Sequence, residues 1–167
     1  MAQLNYGFGT PRGVAGGLFD ISYHEVNTRV CEEESGKMKF GSGVVTGTSL
    51  GQSVKLPASS AAKDFEGVVI NGVNVEQDME GNLIIKGNSS VGVIRVGKVW
   101  ARLHSAAKDV KYGNDLYLIV AGDEAGSFSN AAAGDTDTDA RVKIKGKFIG
   151  EADEGIAPIL LPNELNE

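Results

Sequence analysis

Two short stretches of the chain have residue types found in ion-binding loops. Residues 92–98 place glycine and lysine at the spacing of a phosphate-binding P-loop, but Val99 stands where the metal-binding serine or threonine belongs. Residues 135–139 alternate aspartate and threonine like the start of a calcium loop, whose carboxylates converge on the cation. Ala140 occupies the glycine position of that loop, and Gly146 the position of its bidentate glutamate. A strand-turn-strand and a solvated acidic loop are the better interpretations.

The other groups that could do chemistry are isolated from one another. His24 and His104 have no cysteine or second histidine nearby, so we interpret both as surface histidines, not metal ligands or general bases. Cys31 precedes three glutamates, whose charge raises the pKa of a thiol and makes it a poor nucleophile. A single cysteine forms no intrachain disulfide and no thiolate metal cluster. We therefore predict a protein that is not an enzyme, with no catalytic residues, no bound metal and no cofactor.

Charge and hydropathy exclude two further classes of partner. The 22 acidic residues exceed the 16 basic ones, the net charge is −6, and no lysine or arginine block occurs, so we expect no nucleic-acid partner. The longest apolar runs, residues 116–121 and 156–161, are far shorter than the roughly 20 residues of a membrane helix, so we expect no membrane association. The first five residues lack the basic and apolar regions of a signal peptide, which predicts synthesis and use in the cytosol or in something assembled there.

The elements that would position these residues are predicted to be β-strands. Residues 91–103 form the densest run of β-branched and aromatic residues and include the only tryptophan, Trp100. Both parities of residues 91–96 are largely apolar, which is typical of a central strand. The break at residues 97–98 predicts a β-hairpin or a sharply bent strand. The remaining strands are expected to pair with this segment or pack against it.

Short apolar runs separated by many of the 23 glycines predict further strands, and no apolar pattern at helical spacing lasts three turns. One helical turn or long loop is expected within residues 58–64, and Pro158 predicts that the last strand lies at an edge or a bulge. The predicted fold is mainly β, a small antiparallel β-barrel or β-sandwich with at most one or two short helices. The predicted strands lie within residues 37–47, 65–70, 73–76, 83–86, 116–120, 141–150 and 156–162.

The first thirty residues differ from the rest. Residues 1–17 hold five glycines and no sustained period, whereas residues 18–26 are rich in large apolar groups. We predict an extended N-terminal arm over residues 1–30 and a β-barrel or β-sandwich body over residues 31–167. Apolar groups on such an arm are expected to pack on their own domain or on a neighbouring subunit.

Several strand and turn phrases follow one another along nearly the whole chain, at residues 16–20, 28–33, 38–45, 65–69, 91–101, 110–117 and 146–159. No single phrase carries a chemically diagnostic residue. Their order resembles that of tailed-bacteriophage capsid cement proteins, also called head decoration proteins.

The resemblance implies a β-barrel or β-sandwich subunit, usually a homotrimer, on the outer surface of the virion. It would be assembled in the host cytoplasm and would clamp neighbouring subunits of the phage major capsid protein after the shell expands, resisting the pressure of packaged DNA. The arm would then bury apolar side chains on docking, and the candidate capsid or subunit contacts are Phe19, Ile21, Tyr23 and Val26.

Other interpretations remain open at this point. A carbohydrate-binding β-module of a phage fibre or surface protein would use Trp100 and Tyr117, and it requires an exposed Trp100; a buried one counts against it. An enzyme would need a carboxylate pair drawn from Asp64, Asp109 and Asp123, which nothing local supports. A different virion role, such as that of a tail-tube or head-fibre protein, is an alternative closer in class to a capsid cement protein than the other two.

Overall fold

β-Strands form almost all the regular structure in a computed structural model that describes residues 13–59, 61–72, 76–132 and 140–163. The predicted fold class is confirmed, and the predicted helical turn is a single 3-10 turn at Ala62–Asp64. The strands are β1 (Glu25–Cys31), β2 (Gly43–Thr46), β3 (Ser53–Lys55), β4 (Phe65–Val69), β5 (Glu76–Gln77), β6 (Leu83–Ile84), β7 (Ser90–Arg102), β8 (Asp115–Ile119), β9 (Phe128–Ser129), β10 (Arg141–Phe148) and β11 (Ile156–Leu161).

Five strands close into a small barrel in the order β1-β3-β2-β4-β7, and β1 pairs with β7 to complete it. All its pairs are antiparallel except β1 with β3. Residues 25–30, assigned to the arm from sequence, form β1 together with Cys31. Each strand contributes at least one buried side chain to a common cluster, namely Cys31, Val44, Val54, Val69, Val91 and Val93, with Met38 and Ile85 from the connections.

A second sheet continues from β7 in the order β7-β11-β10-β8-β9. It curls back on itself, because Leu103, directly after β7, forms a bridge with Phe128 of β9. The amide of His104 also donates to the Phe128 carbonyl at 2.8 Å. A larger apolar cluster joins this sheet to the barrel and includes an edge-to-face pair of Phe65 and Phe128, whose ring centroids are 6.3 Å apart.

β7 is one continuous strand of 13 residues that serves both sheets, so the hairpin alternative is wrong. Its first half pairs with β1 and β4, and residues 97–102 pair with β11. The change of partner occurs at Gly97, whose φ of +125° disfavours any residue with a side chain. A Cβ at this position would lie 2.7 Å from the Cβ of His24. The absence of a side chain at Gly97 therefore leaves room for His24 to lie against β7.

Pro158 lies in an interior strand, because β11 is flanked by β7 and β10. This differs from the predicted edge or bulge. The Pro158 carbonyl accepts a hydrogen bond from the Ile149 amide at 3.0 Å, just beyond the end of β10 at Phe148. The missing N–H of Pro158 lies on the same side, so Pro158 cannot return a hydrogen bond to Ile149. The pairing of β11 with β10 therefore ends at the proline. Within the described residues, no helix is long and apolar enough to cross a membrane.

Candidate functional site

The described end of the N-terminal arm lies along β7 on the edge opposite β11. We call residues 13–19 the strap. The amide of Gly16 donates to the Trp100 carbonyl at 2.8 Å, and the Trp100 amide donates to the Gly17 carbonyl at 2.9 Å. The amide of Phe19 donates to the Lys98 carbonyl at 3.0 Å. The strap therefore covers an edge of β7 that would otherwise be open, as edge protection requires.

The strap also buries the only tryptophan. The ring of Phe19 packs on Trp100 with centroids 5.7 Å apart, and a Cβ at Gly13 would overlap the indole. Trp100 is consequently only 7% exposed, and Tyr117 is half-buried. Burial of Trp100 counts against an exposed aromatic platform for sugars.

Between the strap and β1 the chain leaves the sheet as a short loop, residues 20–24, which we call the knuckle. Leu18 bridges Val99, and the next pair along the same edge is Glu25 with Val96. Residues 19–24 thus span the distance covered by residues 97–98 of β7. Four of these six residues have no counterpart on β7, so they must project from the sheet, as in an enlarged β-bulge.

The knuckle is held by its own polar groups and by Lys98 of β7. The carboxylate of Asp20 pairs with the Lys98 ammonium at 2.6 Å. It also accepts hydrogen bonds from the Ser22 amide at 3.0 Å and from the Ser22 hydroxyl. The ring Nδ1 of His24 lies 2.9 Å from the Ser22 carbonyl oxygen. An aspartate bonded to a residue two positions on is typical of an Asx-turn, which fixes the backbone locally.

The knuckle presents apolar side chains to solvent. Ile21 is 100% exposed and Tyr23 is 75% exposed, while Val26 at the start of β1 is 38% exposed. Phe19 differs from these three candidates because it is half-buried on Trp100 of its own chain. Elsewhere on the strap and β1, three further apolar residues are exposed, namely Val14, Leu18 and Val30. The result is an apolar surface carried on an ordered loop.

We predict that the knuckle keeps its conformation in acid until Asp20 is protonated. The pKa of Asp20 is lowered from 3.8 to about 2, mainly because its carboxylate accepts the hydrogen bond from Lys98 and then those from Ser22. A lowered pKa means that the ionised form favours the folded knuckle, so the contribution is complete above pH 3.8 and is lost as the pH falls through about 2. The Ser22 amide resonance should titrate with a midpoint near 2. In Asp20→Asn this resonance should not titrate, and in the control Asp123→Asn its midpoint should be the same as in the wild type. A midpoint near 4 in the wild type would contradict the pairing of Asp20 with Lys98 and Ser22.

The remaining candidate groups are placed apart from the knuckle or have structural partners. Cys31 is buried in the barrel, and burial, followed by the charges of Glu33 and Glu32, raises the pKa of its thiol, which confirms the predicted direction. The prediction of a surface histidine is wrong for His104, which is buried with its Nε2 3.1 Å from a Glu124 oxygen. His104 follows the Leu103 bridge to β9, so the curl of the second sheet covers it.

The carboxylates considered for an enzyme lie in three different connections. Asp64 ends the 3-10 turn before β4, Asp109 follows β7, and Asp123 lies between β8 and β9. In the part of the chain that the structure describes, no three His, Cys, Asp or Glu side chains are grouped so as to hold a metal ion. Residues 135–139 of the predicted acidic loop lie outside the described residues.

Sequence reasoning missed the two residues that position the knuckle, Asp20 and Lys98. The Asp-x-Ser pattern of residues 20–22 is a recognisable turn signal. Nothing in the sequence connects it to Lys98, because the two residues are 78 positions apart.

Comparison with known proteins identifies similar chains. A family model described as "Structural cement protein (E217 gp24/Pam3 gp6)" matches residues 2–161. Among solved structures, the chain is similar to one from "The capsid of Myoviridae Phage XM1", with a TM-score of 0.67 and 18% sequence identity. That match covers 95% of this chain and 98% of the other. No curated protein matches the chain.

Proposed function

Since this chain belongs to the structural cement protein family of phages, we propose that it binds the outer surface of the expanded head and clamps neighbouring subunits of the major capsid protein. The observation that carries this proposal is the knuckle, in which Ile21 and Tyr23 are exposed on a loop held by the Asp20–Lys98 pair. An exposed apolar group on a preorganised loop has little conformational entropy left to lose on docking. The knuckle is therefore suited to act as an anchor.

The expected contact energy follows from burial. Moving a side chain of the size of isoleucine from water into a pocket contributes about 1.5–3 kcal/mol. In protein interfaces a few such anchors supply most of the affinity, and the surrounding contacts mainly exclude water. Val26, which is exposed at the start of β1 beside the knuckle, would supply part of that surrounding contact.

The clamp would act by binding the expanded shell and not the unexpanded one. A protein that binds only the expanded lattice stabilises that lattice by mass action. Many copies, each touching two neighbouring capsid subunits, multiply weak individual contacts through avidity. No catalytic step is needed for this role, in keeping with a family of structural proteins.

The carbohydrate-binding alternative is not favoured. It depended on Trp100 as an exposed platform, and this side chain is covered by Gly13 and Phe19 of the strap. Exposing it would require the strap to leave β7, with loss of three backbone hydrogen bonds between the strap and residues Lys98 and Trp100.

Co-sedimentation tests the proposed function directly. Purified protein is mixed with expanded heads that lack cement protein and, separately, with unexpanded proheads. We expect it to pellet with the expanded heads only and to raise the temperature at which those heads release DNA. Light scattering of the free protein checks the homotrimer that the family resemblance implies. Protein left wholly in the supernatant with expanded heads would refute the proposal.

A further inference from the structure

Arg102 lies half-buried at the end of β7, and no carboxylate among the described residues pairs with its guanidinium. Its Nε donates a hydrogen bond to the Phe40 carbonyl oxygen at 2.8 Å. Within the described part of the chain, its two terminal nitrogens have no hydrogen-bond partner, and both reach solvent. The guanidinium therefore keeps four N–H donors and its positive charge available to a ligand.

Burial makes this charge costly in the free protein. It lowers the pKa of the Arg102 guanidinium, whereas a nearby carboxylate would raise that pKa. An arginine nevertheless stays protonated at neutral pH. An anion that reaches a partly desolvated cation stabilises it strongly, because part of the desolvation cost of the ion pair has already been met.

Arg102 lines a cleft of about 350 Å³ between the connection from β1 to β2 and the hairpin of β5 and β6. The carboxylate in the lining, that of Asp78, is used by the hairpin turn, where it accepts hydrogen bonds from Glu80 and Asn82. Lys39 adds an ammonium group, but its charge also acts on Glu124. Arg102 is therefore the cation of this cleft that lacks compensation. The apolar part of the lining is Met38, Phe40, Leu83, Ile84 and Ile85.

A smaller cleft of about 140 Å³ on the other side of Arg102 contains two carboxylates, Asp123 and Glu124. Glu124 accepts hydrogen bonds from the amide and hydroxyl of Ser105 and lies 3.1 Å from His104 Nε2. No ion pair joins either carboxylate to Arg102 in the residues that the structure describes. These acids consequently leave the charge of Arg102 uncompensated.

Arg102 lies on the face of β7 that carries the knuckle. Lys98, Trp100 and Arg102 alternate with two core residues of β7, so their side chains point to the same side of the sheet. Lys98 pairs with Asp20 of the knuckle, and the strap covers Trp100. Four residues of an extended strand span about 13 Å. A protein seated on the knuckle therefore comes within reach of Arg102 across the strap.

We infer that Arg102 is a docking site for one acidic side chain, an aspartate or glutamate of the major capsid protein that enters the cleft and pairs with the guanidinium. The inference rests on the proposed function, because the face shared with the knuckle assigns the acid to the protein that the knuckle binds. A carboxylate accepts two parallel N–H bonds from a guanidinium. The Phe40 carbonyl already holds the guanidinium in place, so little side-chain entropy remains to be lost.

The experiment compares Arg102→Gln with Lys111→Gln in binding to cement-free expanded heads. Each substitution removes one positive charge, but Lys111 is exposed in the connection from β7 to β8 and does not line the cleft. We expect Arg102→Gln to bind about 30-fold more weakly, because the carboxylate of the capsid protein is left desolvated without its partner. Lys111→Gln should bind like the wild type.

The outcomes separate this inference from the proposed function. If the wild type binds and Arg102→Gln matches it, or if Lys111→Gln loses as much affinity, the Arg102 inference is wrong and the clamp proposal stands. If the wild type does not bind, the clamp proposal fails first. The melting temperature of Arg102→Gln should not fall, since the substitution removes an uncompensated charge. A large fall would show that Arg102 serves the fold and would count against the inference.

Carbodiimide cross-linking of Arg102→Lys identifies the occupant. Carbodiimide joins an amine to a carboxylate in contact with it, and the wild type has no amine in this side chain. On expanded heads we expect an amide between residue 102 of the variant and an aspartate or glutamate of the major capsid protein, located by mass spectrometry. A link only to a sister copy or to its own chain would overturn the inference. So would the absence of any link at residue 102 while other lysines are joined to the capsid protein.

Discussion

Replacing Ile21 by aspartate should weaken binding to expanded heads by roughly 100-fold without changing the melting temperature. The side chain is 100% exposed in the free protein, so an aspartate there meets only water and leaves the fold unaffected. In the bound state the same substitution removes an apolar anchor and buries a charge. Anchors of this kind cost about 3 kcal/mol when lost, which corresponds to a change in Kd of roughly 100-fold.

Leu50→Asp is the matched control for this prediction. Leu50 is also an exposed aliphatic residue, 82% exposed, but it lies in the turn between β2 and β3 and not on the knuckle. We expect it to bind expanded heads like the wild type. The anchor assignment fails if Ile21→Asp binds normally, or if Leu50→Asp loses as much affinity as Ile21→Asp.

Replacing Gly67 by alanine should remove a large part of the stability of the protein. Gly67 lies in β4 with a φ of +145°, a backbone conformation that alanine adopts only with strain. Its Cβ would overlap the carbonyl oxygen of Ile94, which belongs to the backbone of β7. Strain and overpacking together cost about 4 kcal/mol, a large part of the 5–15 kcal/mol that stabilises a typical domain.

Urea unfolding measures this effect with Trp100 fluorescence as the probe, because the only tryptophan is buried under the strap. Gly72→Ala is the control, since a Cβ there meets nothing within 4 Å. We expect a change of less than about 0.5 kcal/mol for the control. An unfolding free energy for Gly67→Ala close to that of the wild type would show that β4 and β7 separate easily at this contact.

The fold class could be predicted because its signals are local. Apolar residues on both parities before Gly97 indicate a central strand, and β7 is the strand common to both sheets. Whether residues 97–98 form a turn or a bend is not a local property, because glycine with positive φ suits both. The partners on either side of Gly97, β1 and β11, decide the matter, and they lie far away in the sequence.

The exposure of the apolar residues at the knuckle could not be predicted from the sequence. The sequence indicates that apolar residues 18–26 pack against something, but it does not distinguish Phe19 from Ile21. Both are large and apolar, yet Phe19 is half-buried and Ile21 is fully exposed in the fold. Phe19 packs on Trp100, some eighty positions away, whereas Ile21 projects because of the register surplus between the strap and β1. Register between distant strands depends on the whole sheet and not on the local pattern.

Because β7 belongs to both sheets, neither sheet can be completed before β7 has been synthesised. Val30 pairs with Ser90, sixty positions later, so the barrel wall cannot close until the ribosome has released residues 90–102. Contacts this distant in sequence make a chain fold slowly. Until they form, the strap and the valine-rich strands are unsatisfied in the nascent chain and are open to association with other chains. The ribosome must therefore finish well over half of the polypeptide before the barrel can close, and synthesis at lower temperature should improve the yield of native protein.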